Sequence, residues 1–398
     1  MTLAIYGGSF NPPHLGHICA AKAAMEQLAP ERFLLVPDRQ PPHKELAEGS
    51  PDPQTRLELT RLAAQEIAGA EVVDWELFRE GPSYTVDTLR EARRLYPADR
   101  LVFLMGTDMF LTLDEWREPE EICRLAEIGV FARGDGERES IREKKIEWEE
   151  RFGALVQIIE HEPLDISSTE LREMLPQRRG REYLSDAVYG EIIRRRLYGA
   201  KPDLAWLREK AYAFLKPQRI PHVCGTEQEA VKLAQRWGEN AEDAAEAAIL
   251  HDMTKKLSYD EHIHLCGQFS IPTDDLEKAN EKLLHSKTGA ALAKAVFGVP
   301  EPIESAIRWH TTGRAGMMKL EQIVYLADYI EPTRHGFDGL TELREAAYRD
   351  LDEAMAMALG MSFAEVTEKG RPFHPNSAQA KEYFEARMKG CEKTGVLS

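Results

Sequence analysis

Along the first 160 residues, short apolar runs alternate with longer stretches in which apolar positions recur every three or four residues. The runs are LAIYG at 3–7, FLLVP at 33–37, EVVDWEL at 71–77, LVFLMG at 101–106, IGVFAR at 128–133 and LVQIIE at 155–160. Helical patterns fall between them, notably 18–29, 54–68 and 85–96. Strand and helix in regular alternation predict a parallel sheet with helices on both faces. The charged insert at 134–152 predicts a surface helix. After about residue 200 the strand pattern stops. Helical patterns alone occupy 204–215, 226–237, 241–254, 286–297, 302–310, 317–330 and 375–389, punctuated by Pro217, Pro221, Pro272, Pro300 and Pro332. The change of pattern predicts an α/β domain over 1–198, a linker at 199–203 and an all-α domain over 204–398.

Length agrees with that division, since 398 residues exceed what one core usually serves. The net charge of −17 is spread over both halves, with 26 basic and 37 acidic residues in 1–200 and 25 and 31 beyond. Neither half is basic, which argues against binding long nucleic acid through its backbone. RRGR at 178–181 and RRR at 194–196 read as solvated helix ends. No apolar run has membrane-spanning length, and no basic segment followed by an apolar one opens the chain. Five cysteines with no CxxC pair predict reduced thiols. These features predict a cytoplasmic protein without membrane or nucleic-acid partners, compatible with a homo-oligomer.

Candidate chemistry in the first half sits where strands end. Gly7, Gly8, Ser9 and Phe10 follow the first apolar run, and glycines let a backbone approach a phosphate closely. His14 and His17 open the next helix. Near the end of the sheet, DISSTELR at 165–172 places Ser167, Ser168 and Thr169 at a helix start with Arg172 one turn on, a set suited to an anion. Each element alone reads as an ordinary helix cap; their order on one strand–helix ladder points to phosphate chemistry.

GSFNPPHLGH with SSTELR resembles the HxGH and ISSTxxR signatures of the nucleotidylyltransferase superfamily, which implies a Rossmann-like fold. PPHK at 41–44, SYTVDTL at 83–89, GTDMF at 106–110 and Trp116 bring the resemblance closer to bacterial nicotinate-nucleotide adenylyltransferases, over about the first 200 residues. The resemblance implies adenylyl transfer from ATP to nicotinate mononucleotide, with Mg²⁺ arriving on ATP. By the same resemblance, His14 and His17 meet the ATP phosphates. Ser167, Ser168, Thr169 and Arg172 hold pyrophosphate, with Arg133 nearby, and Lys44 meets phosphate from either substrate. Thr85 and Trp116 take the nicotinate ring, and Asp108 the ATP ribose. Class I aminoacyl-tRNA synthetases share an HxGH-type motif, but the acidic surface and the lack of a KMSKS-like loop disfavour that reading. Pantetheine-phosphate adenylyltransferases lack the SYTVDTL segment.

In the second half, His222, His251, Asp252, His285, His310 and Asp328 fall on successive helical patterns. A buried unpaired aspartate is costly, so the adjacent His251 and Asp252 inside AAILHDMTKKL call for a cation. Imidazoles with carboxylates suit iron, manganese or zinc better than calcium. The order H…HD…D resembles the HD phosphohydrolases. LLHS at 283–286, RWHTTGR at 308–314 and LADYIEPTR at 326–334 are similar to the bacterial HD hydrolases that split diadenosine tetraphosphate symmetrically. The resemblance implies one or two metal ions, principally on His222, His251, Asp252 and Asp328, and two ADP as products. His285 and His310 serve either a second ion or the phosphate. Lys255, Arg219, Thr311, Arg314 and Arg334 are the candidates for nucleotide phosphates. His262, His264, His335 and His374 read as surface or structural, and Glu331 as a helix-end charge. An HD half that acts on other nucleotides, or that binds one without turnover, is the competing reading.

Overall fold

The computed structural model describes residues 1–42, 45–132 and 135–394. It divides into two compact units, Met1–Lys201 and Pro202–Ser398. In the first, six strands pair in parallel: β1 (Thr2–Gly8), β2 (Arg32–Pro37), β3 (Ala70–Val72), β4 (Arg100–Gly106), β5 (Glu127–Ala132) and β6 (Val156–Glu160). Their order is β3-β2-β1-β4-β5-β6. Successive central-strand residues point to opposite faces, yet Leu3, Ala4, Ile5 and Leu101, Val102, Phe103, Leu104 are all buried. Both faces are therefore covered, as parallel sheets require.

The chain winds outward from β1 to β3, then returns to place β4 on the other side of β1. Connections after β1 and β4 diverge, which leaves a crevice at the carboxyl ends of these strands. Tyr6 pairs with Leu35 on one side and Leu104 on the other, so Gly7 and Gly8 run into the mouth of that crevice.

One element differs from expectation. The apolar run at 71–77 forms a strand only as far as Val72, because Leu77 N–H bonds Asp74 O and Arg79 N–H bonds Glu76 O, and these turns take the chain off the sheet edge. The charged insert forms the expected helix, Asp135–Phe152, which packs through Ile141 and Trp148.

Among its described residues the second unit contains helices and no strand. Ala241–Leu250 lies at its centre, with Ala244, Ala245, Ala247, Ala248, Ile249 and Leu250 all buried. Four alanines keep that helix thin enough for its neighbours to approach closely. The helices Tyr259–Gln268, Leu340–Arg349 and Leu351–Glu368 were not separated by the apolar pattern. In the last of these, methionines, alanines and leucines lie on every side, which blurs a 3.6-residue period. Among the described residues no helix is long and apolar enough to cross a membrane.

Candidate functional site

A cavity of about 460 Å³ opens at the carboxyl ends of the strands in the first unit. Gly7, Gly8, Ser9, Phe10, His14, His17, Thr85, Asp108, Trp116, Ser167, Ser168, Thr169 and Arg172 all line it. Thirteen residues from five separate stretches of sequence thus share one wall. Lys44 and Arg133 lie outside the described residues.

His14 caps the helix Leu15–Leu28, and its ring centre lies 3.7 Å from that of His17. The His14 N–H donates to His17 Nδ1 at 3.2 Å, so in the neutral tautomer the His17 proton is on Nε2, ready to donate. A Cβ at Gly16 would fall 2.9 Å from His14 Cε1 and Nδ1. The glycine of HLGH is there because the His14 ring occupies the space a side chain would need.

The loop between β1 and this helix is held by its carbonyls. Ser168 Oγ donates to Pro12 O at 2.9 Å, and Arg172 donates to Asn11 O at 2.7 Å. Arg172 also reaches Thr169 Oγ1 at 3.0 Å. The serine-rich turn therefore braces the glycine-rich loop as well as lining the cavity. Ser167 caps the helix Ser168–Met174 through a reciprocal pair with Glu170.

Sequence reasoning missed Arg56. Its guanidinium is fully buried and donates to Ser9 O at 2.8 Å, Asp38 Oδ1 at 3.1 Å and Arg39 O at 2.8 Å. Asp38 in turn accepts the Ser9 hydroxyl at 2.6 Å. One cation ties the loops after β1 and β2 together. The signal was an arginine on the face of the 54–68 pattern that carries Leu59, Thr60 and Ala63, all of them buried.

Glu76, another buried residue of the cavity wall, accepts a hydrogen bond from the Thr88 hydroxyl. Burial pushes its carboxyl up to about 7; Asp38 pushes the same way, against the Thr88 and Ser83 hydroxyls and Arg79. The native state thus keeps a proton that the unfolded chain loses near pH 4.5. Stability falls as pH rises from about 4.5 to about 7, by an amount on the order of 3 kcal/mol, and is flat above. We expect Glu76→Gln to melt close to the parent at pH 4 and above it at pH 8. Calorimetry showing a pH-independent difference between the two proteins would dispose of a neutral Glu76.

In the second unit, the six expected residues converge. His222 Nε2 is 2.9 Å from Asp328 Oδ1 and 3.8 Å from Asp252 Oδ2, and His251 Nε2 is 3.4 Å from Asp252 Oδ2. The other oxygen of Asp252 faces His285 Nε2 at 3.3 Å and His310 Nε2 at 3.8 Å. Asp252 thus stands between two pairs of imidazoles.

Every one of these imidazoles turns Nε2 inward because Nδ1 is engaged behind it. His251, His285 and His310 meet the carbonyl three residues earlier, Ala248, Lys282 and Ile307, at 2.6, 2.7 and 2.6 Å. His222 Nδ1 meets Glu331 Oε1 at 3.0 Å. An Nδ1–H bound in this way leaves the Nε2 lone pair for a cation, the arrangement of metal-ligating histidines. His222 Nε2, His251 Nε2 and Asp252 Oδ1 are buried and face carboxylates and imidazoles of the cluster, at 2.9–3.4 Å, without a well-aligned hydrogen bond. The donor atoms of His222, His251 and Asp328, and of His251, Asp252 and His310, lie within 4.8 Å of one another. Nitrogen and carboxylate donors at this spacing fit a divalent transition ion.

The charges of the cluster are coupled: Asp252 holds His251 above the usual imidazole range against its burial. Burial raises the Asp252 carboxyl, but His251, His285 and His310 outweigh it and hold it well below the usual carboxylate range. Asp328 is likewise held low against its burial, chiefly by His222 and His251. Burial and the Lys255 ammonium push His285 down to about 3, so it stays neutral at physiological pH.

Several cations border the cluster. Arg219 reaches Asp252 Oδ2 at 2.5 Å, Arg334 reaches Asp328 Oδ1 at 2.9 Å, and Lys255 Nζ lies 2.9 Å from His285 Nε2. Thr311 Oγ1 is 3.2 Å from the same nitrogen. The Arg314 guanidinium pairs with the buried Glu321 at 2.9 Å, because that carboxylate needs a counter-charge. Glu331 is not a solvated helix-end charge; it is fully buried against His222. His262 is buried against Thr288 Oγ1 at 2.9 Å. Asp274, Glu277 and His374 also gather within 4.8 Å. There Lys287 already supplies the cation, 2.6 Å from Glu277, and His374 Nδ1 accepts Asn376 N–H, which puts the proton on Nε2.

Comparison with known proteins follows the same division. Residues 5–174 match the cytidylyltransferase-like family, and residues 219–333 match the HD domain. A probable nicotinate-nucleotide adenylyltransferase of Exiguobacterium sibiricum is 36% identical over 193 residues, which cover 48% of this chain and 96% of that protein. One from Thermus thermophilus is 44% identical over 133 residues, 33% of this chain and 70% of its own length. Among solved structures, a predicted HD superfamily hydrolase involved in NAD metabolism from Clostridium acetobutylicum is 38% identical, covering 46% of this chain and 97% of its own, with a TM-score of 0.45. The nicotinic acid mononucleotide adenylyltransferase of Plasmodium falciparum complexed with NaAD is 21% identical, covering 50% of this chain and 98% of its own, with a TM-score of 0.41. Through its first half, which spans nearly the full length of such relatives, the chain belongs to the nicotinate-nucleotide adenylyltransferase family, and it carries an HD domain behind that half.

Proposed function

We propose that the domain over 1–198 transfers AMP from ATP to nicotinate mononucleotide, giving deamido-NAD and pyrophosphate. The domain over 204–398 hydrolyses diadenosine tetraphosphate to two ADP. What supports the first reading is the single cavity shared by the paired imidazoles and the serine-rich turn. The mononucleotide's 5′-phosphate attacks the α-phosphorus of ATP and pyrophosphate leaves in line. No protein nucleophile intervenes, so the site works by holding two phosphates together and matching the charge that develops. His14 and His17 donate to the ATP phosphates. Ser167, Ser168, Thr169 and Arg172 hold the departing pyrophosphate, with Lys44 and Arg133 adding positive charge. Mg²⁺ enters with ATP. Thr85 and Trp116 take the nicotinate ring, and Asp108 the ATP ribose.

Support for the second reading is the convergence of four inward Nε2 atoms on two carboxylates. His222, His251, Asp252 and Asp328 hold an iron, manganese or zinc ion; His285 and His310 serve a second ion or the phosphate. An ion there supplies hydroxide at neutral pH. Lys255, Arg219, Arg334 and Thr311 hold the polyphosphate, with arginine suited to its oxygens by the fork of donors. Arg314, which also pairs with Glu321, is the outermost candidate for the same role. The reading includes a cytoplasmic location, in keeping with free Cys19, Cys123, Cys224 and Cys266.

The test uses the full chain with Mg²⁺ present. Diadenosine tetraphosphate should yield ADP alone, and phenanthroline should stop that reaction while deamido-NAD synthesis continues. Release of AMP with ATP, or tight nucleotide binding without turnover, would hand the HD half to another substrate or to a sensing role.

A further inference from the structure

Three imidazoles of the HD cluster are oriented by backbone carbonyls of their own helices. His222 stands apart. It lies in the first turn of the helix Ile220–Trp237. Its Nδ1 instead meets a carboxylate 109 residues further along the chain, Glu331 Oε1 at 3.0 Å.

We propose that Glu331 is the positioning residue for His222. In this assignment its carboxylate fixes the ring and keeps the proton on Nδ1, so that Nε2 is presented to the metal, and residue 225 is glycine to make room for that carboxylate. The inference rests on the metal-centre reading of the HD domain. Three observations carry it. Glu331 is fully buried, and burying a carboxylate is costly unless it is fully hydrogen-bonded. Its oxygens are held by neighbours that fix its direction: Thr333 Oγ1 donates to Oε1 at 2.5 Å and Thr333 N–H to Oε2 at 2.6 Å. Finally, a Cβ on Gly225, one turn from His222 on the same helix, would overlap Glu331 Oε2. Gly225 has no left-handed φ to explain it, so close approach of the carboxylate is the reason for the glycine.

Two residues far apart in sequence are therefore predicted to act as one unit on the metal. Oriented carboxylates behind metal-ligating histidines typically contribute 10–100-fold in affinity. Mn²⁺ affinity of the full chain, measured by EPR, should fall about 10–100-fold in Glu331→Ala. Glu331→Gln, which keeps an acceptor oxygen, should recover part of it. Gly225→Ala alone should weaken Mn²⁺ about tenfold or more, yet cost less than about twofold when added to Glu331→Ala, because the overlap has gone. Deamido-NAD synthesis by the same preparations, with circular dichroism, reports whether each chain has folded. A merely structural Glu331 would lower the melting temperature and leave Mn²⁺ affinity in place, which overturns the proposal, as do additive costs in the double variant. Parent protein that binds no Mn²⁺ would overturn the metal-centre reading itself, and this inference with it.

Discussion

Asp252→Asn should lower hydrolysis of diadenosine tetraphosphate by a factor on the order of 10³ or more, while deamido-NAD synthesis stays within about twofold of the parent. The substitution keeps the shape of the side chain and removes its charge. What makes this position so sensitive is that its two oxygens have separate duties. Oδ2 faces His222, His251 and Arg219, and Oδ1 faces His285, His310 and Lys255. An amide offers one acceptor, so one of the two sets meets an NH₂ group. Breaking one side of a buried charge network typically costs 3–5 kcal/mol, and we expect the HD half to lose stability along with its activity. Chromatography of the adenine nucleotides released measures the first effect, and deamido-NAD formation by the same sample measures the second. Hydrolysis at the parental rate would remove Asp252 from the centre. Loss of both activities would mean that the two sites do not work independently.

The parts of this molecule that were legible in the sequence share a property: their signal is local. Six parallel strands follow from short apolar runs, and the glycine-rich loop at the cavity from glycines beside a run. The HD cluster was legible because carboxylates and imidazoles interrupt apolar helices, and only a common partner explains so many interruptions. Boundaries were less legible where the physical cause lies elsewhere. The helix carrying His222 begins at Ile220, because Pro221 is tolerated in a first turn where its missing N–H is not needed. The helix carrying His285 begins at Glu281, capped by the side chain of Asn280.

Least legible were the residues that support others. Arg56 and Glu331 carry charges whose partners Asp38 and His222 lie 18 and 109 positions away. For Arg56 the one local hint is its place on the buried face of its helix; for Glu331 nothing beside it in sequence distinguishes it from a solvated charge. Glu331 follows an apolar helix, the usual place for an exposed end, and only the position of His222 across the fold gives it a role. Arg314 is similar: it follows His310 and Thr311 of the cluster, and only the fold brings it to the buried Glu321.

His14→Ala should cut the rate of deamido-NAD synthesis by about 10²–10³-fold, the usual consequence of removing one oriented donor from developing charge on phosphate. The effect should fall on turnover more than on the Michaelis constant for the mononucleotide, whose ring lies with Thr85 and Trp116 in the proposed reading. Gly16→Ala is the sharper test, because it leaves both imidazoles in the chain. The new methyl group would fall 2.9 Å from the His14 ring, so the ring must turn out of its place above the first helical turn. His17 retains its partner in the backbone N–H of His14, and any loss is therefore assignable to the position of one ring. We expect a loss of at least about tenfold, since misplacing a reacting group by an ångström costs on that scale or more. Hydrolysis of diadenosine tetraphosphate by the same Gly16→Ala sample provides the internal control. Full synthesis with a displaced ring would show that the first histidine of HLGH does no more than cap its helix. A loss confined to deamido-NAD, with ADP release intact, is the outcome required if imidazoles held at fixed positions, and not merely a cavity of the right size, drive the transfer.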